Sequence, residues 1–209
     1  MAAAVTLKLR DDGFQPAVKM QVLAYPVMQG LDFRLPSMMQ NENAPLLQRK
    51  GMAMTVGLYL EGNSDNQEAF LNNDHVSPAV KKMKVPYIDV TQLPSKYLVG
   101  YEKPSLETGN ETMWNELKDK LLNPYFSPLV AQRLDGLPLA YIFTSEYDPL
   151  RDEGFLYANR LRNSGVKVEH VHSEIGLHGI WVFHKAVTEA DEMLQHVLKF
   201  ISDNLRSAK

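Results

Sequence analysis

A parallel α/β sheet with helices on both faces is the fold class this sequence predicts, and three observations predict it. Candidate elements alternate along the chain as helix, strand, a long helix-rich excursion, strand, helix, strand and helix. Two of the strands, Val18 to Tyr25 and Leu137 to Thr144, are mostly apolar runs, as strands buried on both faces are. The chain is also 209 residues long and 44% hydrophobic, enough to close a sizeable core.

Each element rests on its own signal. Ala2 to Leu9 reads as the middle of a good helix with no capping residue ahead of it, a first sign of a missing beginning. Asp11-Asp12-Gly13 makes a turn, and the strand over Val18 to Tyr25 is closed by Pro26. Residues 26 to 43 keep no steady period, whereas Leu46, Leu47, Met52, Met54, Val56, Leu58 and Tyr59 recur at roughly helical spacing and predict one helix over 44–60. Residues 61 to 110 are turn-rich, with Asn72-Asn73-Asp74 and the prolines Pro78, Pro86, Pro94 and Pro104, and predict an irregular excursion that serves as a lid or a long connection. A short helix over 112–122 precedes the buried strand that leads into Ser145-Glu-Tyr-Asp-Pro149. Leu150 to Asn163 sets Phe155, Ala158 and Leu161 on one side, with Gly165 where a helix ends in a left-handed residue. Val166 to His172 alternates as a half-buried strand with its valines on one face, and leads through Gly176 to His178. Finally Val187, Ala190, Leu194, Val197, Ile201 and Leu205 recur at three and four residues in a C-terminal helix.

Composition narrows the function classes. A formal charge of -3 offers no electrostatic hold on phosphate backbones, which argues against nucleic acid as a partner. The absence of cysteine excludes a thiol nucleophile, a disulfide framework and thiolate metal sites, and leaves the redox compartment open. No run approaches the roughly 20 apolar residues that span a bilayer, and the basic residues of the first ten follow the apolar ones, the reverse of a signal peptide.

In open parallel sheets, reactive groups collect at the carboxyl ends of strands. Asp148 and His178 each follow such an end. An aspartate there can accept the imidazole Nδ1 proton, fix the tautomer and stabilise the imidazolium formed when the other nitrogen takes a proton from a nucleophile. The flanking Gly176 and Gly179 give His178 a backbone free to turn.

The run Tyr147-Asp148-Pro149-Leu150-Arg151-Asp152-Glu153-Gly154, the interval from there to His178-Gly179, the earlier Ser127-Pro128-Leu129 and the stretch Arg160 to Val166 resemble the hormone-sensitive-lipase branch of the α/β-hydrolases, and within it the arylacetamide deacetylase-like family. The resemblance implies a partial α/β-hydrolase fold. All 209 residues would be the C-terminal part of a single domain, with the last three parallel strands, flanking helices, a lid-like excursion at about 27–125 and the N-terminal half of the sheet missing. Ala2 to Val5 would begin the helix after the family's nucleophile elbow, and Gln21 to Pro26 would be its next strand. It further implies hydrolysis of a small-molecule ester or amide through an acyl-serine, no cofactor, a role in lipid metabolism, and a place on the lumenal face of the endoplasmic reticulum membrane. Asp148 matches the triad acid and His178 the triad base. The nucleophile has no counterpart. Neither the G-x-S-x-G elbow nor the H-G-G loop that supplies oxyanion-hole amides occurs in the 209 residues, and Gly62-Asn63-Ser64-Asp65-Asn66 lacks the second glycine. The expectation is therefore a truncated form, inactive alone. The alternative is an inactive hydrolase-like module with a binding or regulatory role.

Plainer readings stand beside these. Asp148 before Pro149 would also suit the start of a helix as its cap. Asp152 and Glu153 read as first-turn acids that complement the helix dipole. His170, His172, His184 and His196 show no metal-ligand spacing and read as structural or solvated. The paired methionines at Met38-Met39 and Met52 to Met54 suit a pliable lid or ordinary core packing equally. Asn110-Glu111-Thr112 is an N-glycosylation acceptor pattern. Without an inner neighbour, the strand at 18–25 would present an open edge, inviting self-association or pairing with another chain and leaving an isolated monomer marginally stable.

Overall fold

The computed structural model describes residues 1–14, 18–82 and 87–206, so that Pro86 lies outside the described residues. The sheet has three strands, β1 (Met20–Ala24), β2 (Leu139–Tyr147) and β3 (Val168–Leu177), parallel and in the order β1-β2-β3. Helix α1 (Ala2–Asp11) precedes β1, α7 (Arg151–Asn163) crosses from β2 to β3, and α8 (Thr188–Arg206) ends the described chain. Between β1 and β2 lie α2 (Pro36–Gln40), α3 (Arg49–Glu61), α4 (Gln67–Leu71), α5 (Pro78–Lys82) and α6 (Glu111–Leu121).

Alternation along β2 sorts its side chains onto two layers. Ala140 and Ile142 pack with Ala3 and Leu7 of α1 and with Leu156, Tyr157 and Leu161 of α7. Tyr141 and Phe143 face the other way, against Ala190, Val197 and Phe200 of α8. Both faces are thus covered, as a parallel sheet requires. The approach of α7 is close: a Cβ on Gly154 would stand 2.3 Å from Thr144 Cγ2. The excursion encloses a separate core in which Phe33, Met38, Met52, Phe70, Trp114 and Leu121 are buried. Met38 and Met52 therefore pack a core, while Met54 is exposed.

Four expectations are corrected in detail. The helix expected over 44–60 begins at Arg49, because Leu46 takes a left-handed φ of 70° and turns the chain ahead of it. The three valines expected on one face do not share it: Val166, ahead of β3, and Val168 join the α1/α7 layer and Val171 the α8 layer, since 171 has the opposite parity. On α8, Leu205 is 54% exposed, while Phe200, outside the expected spacing, is buried against Tyr141 of β2. Gly176 stays extended within β3, so the sharp turn at His178 falls to Gly179 alone, at φ 71°.

Strand β1 pairs with β2 on one side only among the described residues. Tyr25 donates its N–H to Phe143 O at 3.0 Å. Because successive N–H groups in a strand point to opposite edges, the Leu23 amide faces β2 and those of Val22 and Ala24 face outward. In the dilute 209-residue monomer, hydrogen exchange is expected to be fast at Val22 and Ala24 and slow at Leu23. Protection of all three would mean that the outer edge is paired.

Candidate active site

The two residues singled out at the strand ends meet. Asp148 directly follows β2 and is buried, with a side chain 1% exposed, and His178 directly follows β3 with a side chain 28% exposed. His178 Nδ1 lies 3.0 Å from Asp148 Oδ2. A register shift in the β2–β3 ladder makes this encounter. Ser145 stands opposite Ser173 but Tyr147 stands opposite Leu177, so β3 carries two more residues than β2 over that interval. With the unshifted register, Gly176 rather than His178 would have faced Asp148. Glycine is needed inside the irregularity: a Cβ at 176 would lie 2.6 Å from Ser173 Oγ and 2.8 Å from Ser145 Oγ.

Asp148 also does the plainer job. Its Oδ1 accepts from Leu150 N at 2.8 Å and its carbonyl from Arg151 N at 3.1 Å, although the helix proper starts at Arg151, two residues beyond Pro149. The carboxylate therefore holds the start of α7 with one oxygen and the imidazole with the other. Asn41, from the end of α2, donates through Nδ2 to the carbonyls of Glu146 and Asp148 at 3.1 and 3.4 Å. A groove of about 520 Å³ opens beside these strand ends, with Met39, Asn41, Pro45, Tyr147 and Leu177 in its wall.

The first-turn acids of α7 are more than dipole partners. Asp152 and Glu153 are both wholly buried. Asp152 accepts from Ser37 N at 2.6 Å and from Arg151 Nε at 2.9 Å. Glu153 accepts from the backbone N–H groups of Met28 and Gln29 and from Gln29 Nε2. Burial pushes the Glu153 carboxyl up to about 8 against the pull of these donors, and the nearby Asp148 charge adds to the rise. Burial likewise raises Asp152, opposed chiefly by Arg151.

A second polar cluster lies at the same end of the sheet. Glu146 Oε2 accepts from Tyr97 Oη at 2.8 Å and lies 3.1 Å from His172 Nε2, while Thr144 Oγ1 lies 2.9 Å from both His172 Nδ1 and His170 Nε2. Arg151 sits over the Tyr97 ring at 3.5 Å. Burial pushes His170 down to about 4 and also lowers His172. Burial alone would raise Glu146, but the bonds from Tyr97 and His172 and the Arg151 charge bring it below the usual carboxylate range. His184 is 3.8 Å from Asp191, and His196 Nδ1 is 3.1 Å from Tyr141 Oη. His75, which no sequence pattern marked, is wholly buried with Nε2 2.9 Å from Gly30 O. Among the described residues, no group of three His, Asp or Glu side chains is placed to hold a metal ion. Asn110 caps α6, accepting from Met113 N at 3.0 Å. Ser64, in the turn after α3, is exposed.

The family described as α/β hydrolase fold matches residues 1–120 and 96–182. Neutral cholesterol ester hydrolase 1 of Mus musculus is 40% identical over 171 residues, covering 79% of this chain and 42% of the relative. Arylacetamide deacetylase of Bos taurus is 34% identical over 187 residues, covering 88% of this chain and 46% of the relative. Among solved structures, a bacterial heroin esterase superposes with a TM-score of 0.60 at 25% identity, over 97% of this chain and 47% of its own. The chain thus spans about half the length of the relatives it matches.

Proposed function

This chain belongs to the α/β-hydrolase fold family, and from that premise we propose that it is the acid-and-base half of a serine hydrolase acting on carboxylic esters or amides. Its three parallel strands and flanking helices form a partial α/β-hydrolase fold. The observation that carries the reading is the 3.0 Å contact between a buried carboxylate and a part-exposed imidazole on adjacent loops at the carboxyl edge of the sheet.

The chemistry follows from the tautomer. With Nδ1–H donating to Asp148 Oδ2, His178 keeps a lone pair on Nε2. Nε2 takes the proton of a serine hydroxyl as its oxygen bonds to the ester or amide carbonyl carbon, and returns it to the departing alcohol or amine. The acyl-serine is then released by water along the same proton route. The Asp148 carboxylate stabilises the transient imidazolium. The serine and its oxyanion-hole amides come from polypeptide outside these 209 residues, which hold neither motif. Alone, the chain would not turn over substrate, because triad loss costs about 10⁴–10⁶ in rate. The names of its relatives, a neutral cholesterol ester hydrolase and an arylacetamide deacetylase, suggest esters or amides with a bulky apolar part. The groove at the strand ends is walled by Met39, Ala44, Pro45, Tyr147 and Leu177 together with Gln40, Asn41, Glu42 and Asn43, and Tyr147 and Leu177 are the chain neighbours of the pair.

A fluorophosphonate probe tests the reading. A chain extended upstream to include a G-x-S-x-G elbow is expected to label, and its His178→Ala variant to label far more slowly. The 209-residue chain is expected to stay unlabelled. Labelling of that chain would place an activated serine inside it and overturn the proposal.

A further inference from the structure

Tyr25 is the one residue at the end of β1 that breaks the strand's alternation. Along β1 the even positions Met20 and Val22 pack on the α8 layer and Leu23 on the α1/α7 layer. Parity would send residue 25 to the side of Leu23. Tyr25 instead packs with the α8 layer, and its backbone takes φ 50°, a left-handed conformation unusual for a bulky residue and especially so before a proline. The strained residue thus turns its ring across the sheet edge while its N–H keeps the bond to Phe143 O at 3.0 Å.

The turned ring meets the imidazole. The Tyr25 and His178 ring centroids are 5.1 Å apart at 53°. Phe143 and Trp181 hold the tyrosine from two further sides, at 5.2 and 5.6 Å. Its Oη accepts from Trp181 N at 3.3 Å, in the short 3₁₀ turn at Ile180–Phe183 that follows His178. Burial and the Asp148 charge both raise the phenol, so that it stays a neutral donor and acceptor. An imidazole held only by its Nδ1 bond could still rock about that bond; a ring packed beside it at a tilt, itself bonded to the imidazole's own loop, removes that freedom. We propose that Tyr25 is a positioning residue that fixes the plane of His178, and that the left-handed backbone at 25 exists to aim it. This inference rests on the acid–base reading of Asp148 and His178, and Tyr25 acts through His178 rather than on substrate. Strain of this kind persists where the surrounding structure over-determines it, as the three aromatic neighbours and the two hydrogen bonds do here.

The test needs no nucleophile. NMR of the 209-residue protein reads the Nδ1–H proton of His178 and its exchange with water, and Asp148→Asn serves as the control. In Tyr25→Leu, exchange of that proton is expected to quicken about 10-fold, the scale of losing one aromatic contact, while the amide shifts of β2 stay in place. Tyr25→Phe keeps the ring and loses the bond to Trp181 N, and is expected to fall between the two. If Tyr25→Leu does not fold, Tyr25→Phe alone decides, since it disturbs only the hydroxyl. Wild-type exchange in the folded variant, with the proton lost in Asp148→Asn, would overturn the role of Tyr25 and leave the pair intact. A proton unaffected by Asp148→Asn would overturn both. In a catalytically complete chain, Tyr25→Leu is expected to lower kcat about 10-fold to 10²-fold, the range for a slightly misplaced group, with KM little changed.

Discussion

Asp148→Asn in a catalytically complete chain is expected to lower kcat about 10⁴-fold while the fold and KM stay nearly unchanged. The reason lies in how the two carboxylate oxygens are divided. Oδ1 accepts from Leu150 N at 2.8 Å at the start of α7, and an asparagine carbonyl oxygen can keep that bond. The other position faces His178 Nδ1 at 3.0 Å, and there an amide presents N–H where the carboxylate presented a lone pair. The imidazole must then accept at Nδ1 and carry its proton on Nε2. In that tautomer it cannot take a proton from a hydroxyl. Steady-state hydrolysis of a p-nitrophenyl ester, with circular dichroism to check the fold, measures both halves of the expectation. A loss below about 10-fold would show that Asp148 is only a helix-start residue, because true removal of the tautomer lock costs orders of magnitude more.

Glu153→Ala is expected to cost the largest share of stability of any single side-chain change near the site, about 2–6 kcal/mol. It would strand the buried N–H groups of Met28 and Gln29, and each unsatisfied buried donor costs about 1–3 kcal/mol. The carboxyl also predicts a pH dependence. Its pKa rises from 4.5 to about 8 on folding, so the folded state holds the proton more tightly than the unfolded one. The stability linked to that proton is fully present below about 4.5 and is lost as pH rises through about 8. Asp152, also raised, shifts stability in the same direction. His75 and His170, pushed down to about 4 by burial, act oppositely and withdraw stability as pH falls from 6.5. Urea unfolding at pH 5 and pH 8 on the wild type and on Glu153→Gln separates these contributions, because the histidines are common to both proteins. From pH 5 to pH 8 the wild type is expected to lose stability relative to Glu153→Gln. A difference between the two proteins that does not change with pH would show that the carboxylate is ionised in the folded protein throughout.

Much of the fold was legible because its signals are local. An apolar run such as Leu137 to Thr144 has few alternatives to a doubly covered strand, and Gly165, at φ 78°, ends α7 where its position implied. Helix starts within the excursion were less legible. Leu46 belongs to the apolar spacing that predicted a helix, yet its left-handed backbone holds the chain in a turn until Arg49. The burial of Asp152 and Glu153 was hidden for a related reason: two acids in a helix's first turn look the same whether solvent or another segment lies against them. Only packing brings Ser37, Met28 and Gln29 to them.

The sequence by itself determined the alternation of elements, the parallel α/β class and the placement of Asp148 and His178 at strand ends, since each depends on residue type and short-range spacing. The tertiary structure decided that these two residues meet. Their contact needs a register shift between Ser145 and Tyr147, with a glycine at 176 where any side chain would strike Ser173. It also decided that Tyr25 crosses to the opposite face of its strand and packs on the imidazole. Register and strain are settled by the summed packing of neighbouring elements, and no short window of sequence contains that sum.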